Sequence, residues 1–177
     1  MKIAIIDDGI DIKSLLHPEY VKKRISLENK CIGHDTSWHG TFCARTLERC
    51  AKDYEIITIE MVDRWDNPAS TRQLAAALEV CLHENVELVC VSAGTGYLSE
   101  YQSMQSIIEK LQKKGILVIS ALGNNGKLTL PAAFDSVICA MMDWNQELPP
   151  GECALVQHSF LGNIVVANLQ VLPEKKL

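Results

Sequence analysis

Lys2-Ile3-Ala4-Ile5-Ile6-Asp7-Asp8-Gly9-Ile10-Asp11 follows the first methionine. Ile3 to Ile6 is an unbroken apolar run that stops abruptly at two acids and a glycine. A short continuous apolar run bounded by a turn signal reads as a strand buried on both faces. Carboxylates just past such a strand stand at the carboxyl edge of a parallel sheet, where open α/β folds keep their sites. The stretch therefore predicts a core strand that delivers Asp7 to an active-site edge, and the other motifs are judged by whether they converge on it.

Composition agrees with that class. The 177 residues suffice for one domain with a sizeable core, and 47% hydrophobic against 6% aromatic residues suits an aliphatic α/β interior. The net charge is −5. Lys22-Lys23-Arg24 is too short a basic run for a nucleic-acid patch and reads as a solvated face. The seven cysteines (31, 43, 50, 81, 90, 139 and 153) include no CxxC pair, and several lie inside apolar runs. That usage fits a reducing cytosol, with thiols as small hydrophobes. With no signal-peptide pattern and no membrane-length apolar stretch, the expectation is a cytoplasmic protein without membrane contact.

Outward from the first strand, apolar spacing alternates between the two periods. Val21 to Leu27 reads as an edge hairpin arm, and residues 28–37 as loop. Trp38 to Cys50 reads as a helix with Asp35, Thr36 and Ser37 as candidate caps, and Glu55 to Val62 as a strand. Ser70 caps a helix through His83 with Leu74, Ala77, Leu78 and Cys81 on one stripe. Val86 to Ser92 is a buried strand. A helix over Ser99 to Lys114 places Met104, Ile107, Ile108 and Leu111 inward and ends at Gly115. Ile116 to Ala121, Val137 to Met142, Ala154 to Phe160 and Asn163 to Leu169 complete the strands. This alternation implies one domain over 1–172 with a mostly parallel sheet, right-handed crossovers, and a frayed tail at 173–177.

The remaining chemistry lies at the ends of these elements. His39-Gly40-Thr41 opens a helix, so its imidazole sits at a loop–helix junction while the glycine admits another backbone. If Asp7 holds one ring nitrogen, the other faces the cleft as a base. Alone, a histidine there is more often structural. Gly123-Asn124 follows a buried strand, where an amide can donate to a developing oxyanion, although Asn and Gly are also ordinary turn residues. Ser92-Ala93-Gly94 ends a strand in small residues, leaving an edge on which an extended peptide could pair, or merely packing closely. His39 and Cys43 are one helical turn apart with His34 nearby, but no fourth ligand is evident, so packing is the reading and no metal or other cofactor is expected.

Together these motifs resemble the subtilisin-like serine proteases, in the order of that family, from about residue 2 to residue 142. The resemblance implies a three-layer α/β sandwich with Asp7 as triad acid and His39 as base. It also implies Asn124 as oxyanion donor, and Ser92, Ala93, Gly94 and Gly123 along the substrate. Relative to the family the chain is C-terminally truncated. The family's glycine-threonine-serine segment, which opens a buried helix and carries the nucleophile, has no counterpart here. Ser136 and Ser159 are the only serines after Asn124, and neither sits in such a context. Cys31 and Cys153 are not in a recognisable elbow either.

Three expectations follow. The first is a subtilisin-like peptidase module acting on peptide or protein substrates, inactive alone and completed by a second chain, or by a homodimer that covers the groove left by the missing helix. The second is a pseudoprotease that binds peptides without cutting them. The third lies outside the family: a receiver-like phosphoacceptor with Asp7 and Asp8 around Mg²⁺, Asp63 on a third strand and Ser92 on a fourth.

Overall fold

The structure is a computed structural model and describes residues 1–27, 38–61, 70–123, 127–159 and 161–168, without the side chains of Trp38 and Leu98. An eight-stranded sheet runs in the order β2-β3-β1-β4-β5-β6-β8-β7. The strands are β1 (Lys2–Asp7), β2 (Val21–Ser26), β3 (Glu55–Glu60), β4 (Leu88–Val91), β5 (Leu117–Ala121), β6 (Ile138–Met142), β7 (Cys153–His158) and β8 (Gly162–Ala167). All adjacent pairs are parallel except β7 against β8. The helices are α1 (Trp38–Cys50), α2 (Thr71–Cys81) and α3 (Tyr101–Lys113).

β1 is the centre of this arrangement, as its apolar run requires. It pairs with β3 on one side and β4 on the other, and Ile3 to Asp7 are all buried. Its alternating side chains feed two cores. Ala4 and Ile6 join the α2 and α3 stripes, where Leu74, Ala77, Leu78 and Cys81 meet Met104, Ile107, Ile108 and Leu111. Ile3 and Ile5 pack with Ala44 of α1, beside Tyr54 and Ile56. α2 begins where its sequence says it should: Ser70 accepts from Gln73 N while the Gln73 side chain takes Ser70 N. Gly115, at φ +74°, ends the chain's turn out of α3.

Three sequence expectations need correction. β2 is an edge strand, but it runs parallel to β3 and so is no hairpin arm. The crossovers do not share one hand. α1 carries the chain from β2 to β3 in the same direction across the sheet as α3 carries it from β4 to β5, yet on the opposite face. The receiver-like reading also fails. A receiver sheet runs 2-1-3-4-5, whereas here β1 lies between β3 and β4. Asp63, which that reading needed, lies outside the described residues, as do the candidate caps Asp35, Thr36 and Ser37 and the tail at 173–177.

The two faces of the sheet are covered unequally. Beyond β1 on the α1 side, Leu88, Cys90, Ile119, Ala121, Ile138 and Ala140 line up across β4, β5 and β6 and remain partly exposed. In the same plane Leu117 is 58% exposed, and Leu155 of β7 is 69% exposed. Among the described residues the α1 cluster reaches this half at Leu88 and Cys90 of β4 and does not include the β5 and β6 positions. None of the described helices is long and apolar enough to cross a membrane.

Candidate active site

The site grows from the turn after β1. Gly9 has φ +112°, which a side chain would strain, and Asp11 caps the short 3-10 turn that follows by accepting from Lys13 N. Onto this turn α1 docks with its first residues. Gly40 is held by close approach: a Cβ there would lie 2.2 Å from the Gly9 carbonyl oxygen and 3.0 Å from Asp7 Cβ. Gly40 N donates to Asp8 Oδ1 at 2.9 Å, and Asp11 N donates to Thr41 Oγ1 at 2.9 Å. The His39-Gly40-Thr41 triplet thus has a division of labour. Glycine lets the backbones touch, threonine and Asp8 bolt helix to turn, and the histidine is left at the required height.

That height brings imidazole to carboxylate. His39 Nδ1 lies 2.9 Å from Asp7 Oδ2 and 3.2 Å from Oδ1. Asp7 is 5% exposed, whereas the His39 side chain is 66% exposed, so the ring leans on a buried acid and turns Nε2 to solvent. Asp8 N donates to Asp7 Oδ1 at 2.7 Å, and the Ser92 hydroxyl donates to Asp7 Oδ2. The same hydroxyl is 3.2 Å from the Ile6 carbonyl.

Charge follows geometry. Burial pushes the Asp7 carboxyl up, but the His39 and Ser92 hydrogen bonds, the imidazolium charge and the Asp8 N–H together hold it below its usual value. For His39 the hydrogen bond from Nδ1 to Asp7 is the largest influence, followed by Cys43, and the imidazole is raised from 6.5 to about 11. Asp8 goes the other way: burial raises its carboxyl, and the neighbouring Asp7 charge adds to that despite the Gly40 N–H. A buried anion that orients an imidazole and stabilises its protonated form is an arrangement suited to acid–base chemistry.

The other expected residues are placed less uniformly. Ser92, Ala93 and Gly94 continue from the end of β4, beside Asp7. Gly94 is exposed, and a Cβ on it would lie 2.8 Å from Thr129 Cβ, so this segment is backed closely by residues 129–130. Thr95 and Leu130 exchange both backbone hydrogen bonds, at 2.9 and 2.8 Å. Gly123 follows β5, partly buried, at the same carboxyl edge. Asn124 lies outside the described residues. Cys153 begins β7, at the far edge of the sheet from His39, and Cys31 is not described. Ser136 and Ser159 are exposed in turns beside β6 and β7. Among the described residues no serine hydroxyl meets His39 Nε2.

One contact was not foreseen: Ser92, expected along the substrate, also bonds the acid through its hydroxyl. Cys43 Sγ lies 3.9 Å from His39 Nδ1, the neighbour that the one-turn helical spacing predicted.

The fold is a mostly parallel α/β sheet with a carboxylate and an imidazole converging at its carboxyl edge. The subtilase family model, Peptidase_S8, matches residues 1–142, and the chain belongs to that family. A thermostable alkaline protease of Halalkalibacterium halodurans is 24% identical over 156 residues, covering 81% of this chain and 42% of the relative. The solved structure of a lanthipeptide protease superposes with a TM-score of 0.68 at 20% identity, covering 81% of this chain and 48% of that one. The nisin leader peptidase of Lactococcus lactis gives 0.65 at 19% identity, covering 80% and 55%. The chain therefore spans about half or less of the length of these relatives.

Proposed function

We propose that this chain is the acid–base and substrate-aligning part of a subtilisin-type serine peptidase acting on peptides, with its nucleophilic serine carried by another polypeptide. The observation that carries the reading is the His39 Nδ1 contact to buried Asp7, with Nε2 turned outward and no described serine beneath it. Asp7 would orient the ring and stabilise its charge, His39 would take the hydroxyl proton and return it to the leaving amine, and Ser92-Ala93-Gly94 would pair with the extended substrate. Asn124 and Gly123 would stand at the developing oxyanion.

The partly exposed face of β4, β5 and β6 supports the incoming element. Six aligned apolar side chains beside α1 make a seat for an apolar helix, and large exposed apolar patches mark partner surfaces. A second copy of the chain is the competing occupant of this seat. Peptide processing is the substrate class favoured here, because structural neighbours include a nisin leader peptidase and a patellamide maturation protease.

A second reading, a peptide-binding subunit without chemistry, is favoured by Ser92: its hydroxyl is committed to Asp7, so the only described serine at the pair is not placed to attack.

The test is cleavage of a peptide library by the purified chain together with labelling by a serine-directed phosphonate, located by mass spectrometry, for wild type and His39→Ala. The expected result for the chain alone is neither cleavage nor label. Cleavage and a label on this chain, both lost in His39→Ala, would replace the proposal with a self-sufficient peptidase. Recovery of His39-dependent label on a serine of an added partner would separate the first reading from the second, in which Asp7→Ala leaves biological activity unchanged.

A further inference from the structure

We propose that Asp7, His39 and Cys43 form a binding site for a thiophilic divalent transition-metal ion of the Zn²⁺ type, and that the ion disables the acid–base pair. The three side chains offer a carboxylate oxygen, an imidazole nitrogen and a sulfur that all lie within 4.8 Å of one another. His39 and Cys43 are four residues apart on α1, so one helical turn sets both on the same face, over the end of β1. Asp7 supplies from the sheet the ligand that the helix alone lacks.

The spacing suits a small tetrahedral ion. With Zn–N and Zn–O near 2.0–2.1 Å and Zn–S near 2.3 Å, neighbouring ligand atoms stand roughly 3.3 Å apart for N and O and roughly 3.6 Å for N and S. Here Nδ1 is 2.9 Å from Asp7 Oδ2 and 3.9 Å from Cys43 Sγ, each within a few tenths of an ångström of that spacing, and the carboxylate and sulfur lie within 4.8 Å of each other. The donor set also discriminates. Imidazole and thiolate select zinc-type ions, whereas Mg²⁺ and Ca²⁺ ask for oxygen ligands. The Cys43 thiol is partly exposed, and the His39 side chain is largely exposed, which leaves an approach route and a fourth position for water.

Coordination would release both the Cys43 thiol proton and the His39 Nδ1 proton to solvent and leave the remaining ring proton on Nε2. The ion would then stand in place of the proton through which Nδ1 now donates to the Asp7 carboxylate oxygen. An imidazole so held has no free nitrogen with which to accept a proton from a nucleophile. The binding itself does not depend on the peptidase reading; only this consequence does.

The probe is Co²⁺, which reports thiolate ligation by a sulfur-to-metal charge-transfer band, with Zn²⁺ as competitor and a phosphine reductant keeping thiols reduced. Wild type is expected to bind one equivalent with that band, and Zn²⁺ to abolish it. Cys43→Ser should lose the band, and Asp7→Asn should weaken Co²⁺ binding by more than the roughly 10–100-fold that loss of an outer-shell partner costs. Cys50→Ser, at the exposed end of α1, should behave as wild type. A band retained at full strength in Cys43→Ser, or Co²⁺ affinity no higher in wild type than in that variant, overturns the proposal. Because absorption needs neither substrate nor nucleophile, failure of the metal site and failure of the peptidase reading are separate results. Circular dichroism of each variant shows whether a lost band reflects a lost ligand or a lost fold.

Discussion

On the α2–α3 side of the sheet, Val89, Val91 and Val118 are sealed almost completely. On the α1 side, their neighbours in the same strands, Leu88, Cys90 and Ile119, stay partly open, and Leu117 is more than half exposed. The strands are equally apolar on both sides, so the difference is not written in strand composition. It comes from helix supply. α2 and α3 together spread from β3 to β5, whereas among the described helices α1 serves the other face, where its cluster reaches from β3 to Leu88 and Cys90 of β4 and does not extend to β5 and β6. The closed face supplies the fold's stability, and the open face holds the chemistry. Asp7 stands on the boundary, at the end of the strand that belongs to both.

If that division is right, equal truncations on the two faces will have unequal costs. Ile108→Ala removes a side chain that is 2% exposed and should cost about 2–5 kcal/mol by urea unfolding. Leu117→Ala, on the open face, should fall within about 0.5 kcal/mol of wild type. A Leu117→Ala cost approaching that of Ile108→Ala would mean the face is covered in solution. Sedimentation of wild type would then show self-association that the variant loses.

The next effect concerns α1, the described helix on the open side. Gly40→Ala forces a Cβ to within 2.2 Å of a backbone oxygen, so α1 must withdraw from the turn after β1. The expected cost is about 1–3 kcal/mol. A histidine side-chain resonance shifted toward that of free imidazole would accompany it, because His39 leaves Asp7 with the helix. An Ala variant with unchanged stability and an unchanged His39 resonance would show that α1 is not seated by this contact.

Much of the closed face was legible because period and burial agree there. The stripe Leu74, Ala77, Leu78 and Cys81 and the stripe Met104, Ile107, Ile108 and Leu111 are the buried residues of α2 and α3. The Asp7–His39 pair was legible for another reason: each residue sits in a short motif whose glycine has a steric task. What escaped was relational. Nothing in Val21 to Ser26 distinguishes a parallel edge strand from a hairpin arm, since strand direction is set by the partner. Nothing in an apolar run such as Leu117 to Ala121 reveals that only one of its faces is roofed. The Ser92 contact joins positions 85 residues apart, and the Cys43 contact joins neighbours whose shared target, Asp7, comes from another element.

The smallest expected effect tests the pair on the boundary by pH. Asp7 has its folded value below 3.8, so its contribution to stability is present above 3.8 and is lost as pH falls through the lowered value. His39 has its folded value above 6.5, at about 11, so its contribution is whole below 6.5 and fades as pH rises toward 11. Between 3.8 and 6.5 both contributions are complete. The difference in melting temperature between wild type and His39→Ala should therefore be largest in that window and shrink on either side. Solvent reaches two-thirds of the histidine, which screens the pair, so the difference should be smaller than that of Ile108→Ala or Gly40→Ala. A difference that stays constant from the acid limb to the alkaline limb would show that no charge pair forms. His39 would then be a surface histidine near an acid, and the open face would carry no acid–base chemistry of its own.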